Sequence, residues 1–140
     1  MSTDESKNTT GKLQATGTSV SGFSTTDVSF QQNLSDKGYS FDGIMAKEQL
    51  GFFMRTLNVQ ENVSYDIQTA WSGDKETALA HYKSAEGVAY AGVSGTIVFQ
   101  KFDVLSESAE FEAKLKFESA TGDVKDEVVV RGEFVGFEEP

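Results

Sequence analysis

The stretch SAEFEAKLKFES, Ser108 to Ser119, alternates with a period of two. Ala109, Phe111, Ala113, Leu115 and Phe117 fall on one side, and Glu110, Glu112, Lys114 and Lys116 on the other. Successive side chains of an extended chain point to opposite faces, so this pattern suits a strand with one buried and one solvated side. A slip of one residue would turn the whole apolar set into water, which makes the register firm. The same alternation runs through NVSYDIQTAW, with Val63, Tyr65, Ile67, Thr69 and Trp71 against Asn62, Ser64, Asp66, Gln68 and Ala70. In EVVVRGEFVGF, Val128, Val130 and Phe134 share one face, and Val129, Val135 and Phe137 the other. Arg131 and Glu133 mark that second face as only partly covered. In SGTIVFQKFDVL, Ile97 and Phe99 are in one phase and Phe102 and Val104 in the opposite one. A β-bulge near Gln100 and Lys101 reconciles them.

Strand-like runs recur at 12–20, 24–31, 38–46, 49–59, 62–71, 77–83, 87–92, 94–105, 108–118 and 125–137, with turn-forming residues between them. The expected fold is all-β: a mainly antiparallel sandwich or partly closed barrel of about ten strands. Residues 43–57 also suit an amphipathic helix, but Gly51 and the β-formers from Phe52 onward favour two strands with a turn at Lys47 and Glu48. Residues 77–83 carry a similar helical alternative. Residues 1–12, MSTDESKNTTGK, have no apolar side chain after Met1 and read as a disordered tail or linker before a single domain over 13–140.

Composition narrows the chemistry. There is no cysteine, so disulfides and thiol catalysis are excluded. With one histidine, His81, a multi-histidine metal centre is excluded unless an oligomer assembles one, a Ser-His-Asp triad could only be built around His81, and no cofactor motif is present. The net charge of -10 repels phosphate backbones and anionic lipid surfaces, which argues against a nucleic-acid partner. No apolar run reaches the roughly 18 residues of a membrane span. Met1–Lys12 lacks a signal-peptide core, so the chain is expected either to be made without an export signal or to have had one removed. Its localisation stays open on sequence alone, with the cell envelope or secretion following in the second case.

WSGDKETALAHY, residues 71–82, concentrates the scarce residues. The ordinary reading is a hairpin in which Trp71 closes the core and His81, in phase with Leu79 and Lys83, faces solvent on an edge strand. The sharper reading is a ligand platform for a sugar or aromatic compound, with Trp71 and Tyr82 stacking and Asp74 and Glu76 accepting hydrogen bonds. His81 and Tyr82 fall on opposite faces, and no motif sets a serine or carboxylate beside His81, so general acid–base catalysis is not expected.

Other motifs carry less. In AGVSGT, the residue that a nucleophile elbow needs between serine and the second glycine is absent. Asp123, Asp126 and Glu127 share an acidic loop, but the spacing is not that of a calcium hand and Lys125 sits among them, which suits a solvated hairpin. Asn8, Asn33 and Asn62 begin glycosylation triplets, meaningful only in a eukaryotic secretory host. Glycine-rich phosphate loops are missing.

Ser94-Gly95-Thr96-Ile97, then Phe102-Asp103, then Leu115 and Phe117, then Gly132 to Phe134 follow one another in an order that resembles small β-rich lipoprotein-type domains common in Bacteroidetes. The likeness extends over His81 to Phe134. The chain departs from that pattern in having no lipobox cysteine and no glycine-threonine start to the middle strand. The resemblance implies an antiparallel β domain at the cell envelope, with no catalytic residues. Three functions are therefore expected in turn. The first is a non-enzymatic binding or structural accessory domain. The second is a small barrel holding an apolar ligand in a lumen lined by Tyr65, Trp71 and Tyr90. The third is an acidic inhibitor or immunity-type module meeting a basic protein.

Overall fold

The computed structural model describes residues 9–17, 22–69 and 76–138. Every regular element among them is a strand: β1 (Thr10–Gly17), β2 (Phe23–Thr25), β3 (Val28–Asn33), β4 (Gly38–Met45), β5 (Glu48–Met54), β6 (Ser64–Asp66), β7 (Ala78–Lys83), β8 (Ala89–Asp103), β9 (Ser108–Ser119) and β10 (Val124–Val135). The helical alternatives at 43–57 and 77–83 are not adopted. Met45 pairs with Glu48 across a two-residue turn at Ala46 and Lys47, one position earlier than expected, and Ala46 takes the left-handed φ of 54° that the turn requires.

The strands form one sheet in the order β2-β1-β10-β9-β8-β7-β5-β4-β3, with β6 added to β8. All named strand pairs are antiparallel. The two ends of this path are covalently continuous. β2 pairs with β1 through Leu13↔Thr25, and two residues later the same chain pairs with β4 as β3, through Phe30↔Phe41. One bent strand thus joins both margins, so the sheet is a nearly closed barrel rather than a sandwich. The seam is sewn further by Phe30 N donating to Thr9 Oγ1 at 3.1 Å and Glu138 N donating to the Phe30 carbonyl at 2.7 Å. Residues 10–12, expected in the tail, belong to β1. Their backbone pairs with β10, and Gly11 holds φ 142° where a Cβ would collide with the Glu133 carbonyl.

The phase of each long strand is as the sequence indicates. On β9, Ala109, Phe111, Ala113, Leu115 and Phe117 are all buried, and on β10 so are Val128, Val130 and Phe134. The bulge expected near Gln100 is present as a register shift between Phe99 and Lys101. Some of the runs are corrected. Residues 87–92 and 94–105 are a single strand, β8, because a second register shift between Gly92 and Ser94 absorbs the extra residue without a turn. Of the described part of the run 62–71, Ser64–Asp66 forms the strand β6, Ile67 adds an isolated parallel bridge to Ala78, and Val63 is 43% exposed. β7 meets β8 only at His81–Lys83, and β6 fills the space beyond.

The interior is solid. Phe30, Phe41, Phe52, Phe99, Phe111 and Phe134, each from a different strand, are at most 2% exposed. Their rings meet across the axis, Phe30 and Phe41 at 4.8 Å, Phe41 and Phe134 at 5.3 Å, Phe52 and Phe111 at 5.3 Å, Phe99 and Phe111 at 5.4 Å. A barrel of about eight staves is just wide enough for side chains to fill it, and phenylalanine fills this one. Each such edge-to-face or offset pair adds roughly 0.5–1.5 kcal/mol to what burial contributes.

Candidate functional site

The up-and-down path sends the links between strands to two opposite ends. One end, hereafter the loop end, gathers the β3–β4 turn, the long β5–β6 connection, the residues before β7, the β8–β9 turn and the segment after β10. Its floor is aromatic. Tyr39 and Phe102 lie 4.8 Å apart nearly edge-to-face, and Phe137 packs on Phe30 at 4.8 Å.

A concavity of about 470 Å³ opens here between the Ser35–Lys37 turn, the Arg55–Asn58 segment and Glu76. The Thr56 hydroxyl donates to Glu76 at 2.7 Å, and Asn58 N donates to the Thr56 oxygen at 3.0 Å. The Tyr39 hydroxyl reaches up from the floor to the Leu57 carbonyl at 3.0 Å, fixing the height of that segment. The adjoining outer face holds a second concavity of about 460 Å³ among Asn33, Asp36, Ser40 and Phe53, so Asp36 stands between the two. Asp36 and Glu76 oppose Lys37 and Arg55 in charge, which gives the wall a mixed, polar character. Thr77 is buried beneath with its hydroxyl unpaired among the described residues.

The loop end is held by side-chain acceptors. Glu61 accepts from Phe102 N at 2.8 Å, Glu107 from Phe137 N at 2.7 Å, and Asp103 from Leu105 N at 3.0 Å. Lys37 and Glu107 take left-handed φ values of 55° and 53°, a region that favours glycine, closing the turns behind Leu34 and Val104. The turns are therefore tight without being smooth. Leu34 is 66% and Leu105 96% exposed.

Of the residues expected to form a ligand platform, the two that are described, Glu76 and Tyr82, do not come together. Glu76 is in the wall of the larger concavity. Tyr82 lies six residues on along the chain, about 20 Å away at the strand rise, with its ring turned inward near Tyr90 (5.8 Å) and Phe117 (5.9 Å) at the opposite end. Its hydroxyl donates to Glu48 at 2.7 Å, and burial together with this carboxylate pushes its pKa above the ordinary tyrosine value. Trp71 and Asp74 lie outside the described residues. Of the residues expected to line a lumen, Tyr65 and Tyr90 are 5% and 8% exposed, and Tyr65 accepts from Gln60 N at 2.8 Å.

His81 faces outward, in phase with Lys83, and has a partner that sequence reasoning missed. Its Nε2 lies 3.6 Å from Asp42 Oδ1. The two side chains meet over β5 because Gly51, paired with both in register, has no side chain between them; a Cβ there would strike the Asp42 carboxylate. Burial raises the Asp42 pKa, His81 opposes that rise and Glu138 adds to it. Ser29, in register with Asp42 on its other side, is separated from His81 by the carboxylate. That row puts aspartate between serine and histidine, whereas nucleophile activation needs the histidine in the middle. A lone glycine between two strand-forming runs was the one available signal for this close approach.

Asp123, Asp126 and Glu127 sit in a bulged hairpin with Lys125 over the Tyr90 ring at 5.6 Å. Among the described residues no three or more histidine or acidic side chains converge as a metal site, and no helix is long and apolar enough to cross a membrane. Comparison with the models of known protein families, with curated proteins and with solved structures found no match to this chain.

Proposed function

We propose that this chain is a non-enzymatic binding domain, in which the barrel is a scaffold and the loop end meets the partner. One observation carries the reading. Six strands each commit a phenylalanine to the axis, leaving the interior to side chains, while the concavities of about 470 and 460 Å³ and six of the eight exposed aliphatic side chains among the described residues gather at one end. A barrel that stores an apolar ligand needs the reverse, a lumen kept open by small inward residues. The likeness of residues 81–134 to lipoprotein-type domains supports a position at the cell envelope, to be checked by whether the native gene encodes a signal sequence and lipobox cysteine.

The test is titration of the whole chain with a fluorescent fatty-acid analogue. The reading expects no saturable uptake. Saturable uptake with one site per chain would overturn it in favour of the ligand-storing barrel. The concavity beside Glu76 favours a second, narrower reading, a polar small molecule such as a sugar held at the mouth, since its volume is within the range of small-molecule sites. A sugar panel followed by amide chemical shifts of residues 35–37, 55–58 and 76 decides for or against it.

A further inference from the structure

Among the described residues, eight large aliphatic side chains are exposed, and six of them, Leu34, Leu57, Val63, Val104, Leu105 and Val135, belong to the loop end or its rim. Scattered exposed leucines need no explanation, but gathering on one end does. The fold brings them round a common floor. Leu57 is tied through its carbonyl to Tyr39, whose ring packs on Phe102, and Val104 and Leu105 follow Phe102 by two and three residues. Leu34 opens the turn that leads back into Tyr39.

The surrounding charge is one-sided. The described loop segments at this end carry five carboxylates, Asp36, Glu61, Glu76, Glu107 and Glu138, and Asp103 at the end of β8 adds a sixth, against Lys37 and Arg55. Most of these acids are anchored by hydrogen bonds from backbone N–H or neutral side chains, which orient them without cancelling their charge. A second copy would bring the same acids face to face, on a chain already at -10, and an anionic membrane would repel them too.

Resting on the binding-domain reading above, we propose that the loop end is a docking surface for a positively charged protein face that offers apolar side chains to Leu34, Leu57 and Leu105. The apolar tips supply desolvated anchors at the centre, and the acid rim supplies steering and choice of partner. This is the arrangement expected of an inhibitor-type or adaptor domain that covers a basic site on another protein.

The experiment uses the full chain and a defined probe, an amphipathic helical peptide built of leucine and lysine, titrated while amide chemical shifts are followed. The expected result is saturable binding that weakens with salt, with shifts confined to residues 34–37, 55–63, 103–107 and 136–138. A Leu34→Ser, Leu105→Ser double variant should bind about tenfold more weakly or worse with an unchanged melting temperature. A Val124→Ser variant, altering an exposed aliphatic residue at the opposite end, should bind as the parent does. Shifts spread over acidic side chains all round the barrel, or equal affinity in the double variant, would overturn the proposal. So would concentration-dependent dimerisation of the chain through this end, or flotation with zwitterionic vesicles. Failure here with no fatty-acid uptake sinks the docking surface alone, whereas uptake of the fatty acid sinks the binding-domain reading beneath it.

Discussion

The two ends of the barrel are closed by the same device and finished differently. At the loop end the Tyr39 hydroxyl donates to the Leu57 carbonyl, and at the other end the Tyr82 hydroxyl donates to the Glu48 carboxylate. Each tyrosine packs in a small aromatic group, with Phe102 and Phe137 in one case and Tyr90 and Phe117 in the other. Beyond these plugs the likeness stops. The described links at the Tyr82 end are short turns, at Ala46–Lys47, between Ser84 and Val88 and between Ser119 and Val124, and the exposed aliphatic residues beside them are Ile44 and Val124. The loop end carries the long β5–β6 connection, the concavity beside Glu76 and the leucine tips. Where both ends need only closure, the Tyr82 end shows how little chain that takes. The extra surface at the loop end is beyond what stability asks for.

The largest expected effect separates the interior from both ends. Phe111→Ala removes a ring that touches Phe41, Phe52, Phe99 and Phe134, and should cost about 3–5 kcal/mol in urea unfolding. Equal stability of this variant and the parent would mean that the rings do not hold the barrel together. Next come two glycines that contrast in kind. Gly11→Ala meets fixed backbone, the Glu133 carbonyl, at a left-handed φ, and should lose about 2 kcal/mol or more. Gly51→Ala meets the ends of Asp42 and His81, which can swing aside, so it should cost markedly less while separating that pair. A reversed order in thermal melts would contradict the register that places them.

Smaller effects concern the two titrating groups. Tyr82 has a raised pKa in the folded chain, so the native state keeps a proton that the unfolded chain releases above about pH 10. Stability should therefore fall as pH rises past that point, and Tyr82→Phe should flatten the fall. Asp42 also holds its proton more tightly when folded, chiefly through burial, so its contribution is fully present at low pH and is lost as pH rises through its folded pKa. Asp42→Asn should then be slightly more stable than the parent near neutral pH, with the gain vanishing in acid; chemical denaturation across that range reads it. Last, Leu34→Ser and Leu105→Ser should leave unfolding within about 0.5 kcal/mol of the parent, because little of either side chain is buried.

Strand phase was legible because period two leaves little choice. Burying Phe111 forces Glu110 and Glu112 outward, and the opposite phases of Phe99 and Phe102 demand the bulge that is found between them. Closure was not legible. It depends on one chain segment leaving β1 after Thr25 and joining β4 from Val28, a change of partner that no local pattern announces. The platform expected of Trp71, Asp74, Glu76 and Tyr82 relied on closeness in sequence, but a strand carries neighbours apart at about 3.3 Å per residue, which takes Tyr82 away from Glu76. Asp42 and His81 lie 39 positions apart in sequence and meet only because β4, β5 and β7 are laid side by side.

The filled interior, on which the rest depends, is tested most directly by benzene. Melting of the parent and of Phe111→Ala is followed with and without it. The parent should show no saturable rise in melting temperature, and the variant, with a ring-sized apolar void, should gain one, as emptied apolar cavities bind such molecules. A saturable rise in the parent itself would mean that the barrel already holds an open lumen, and the function would have to be sought inside it.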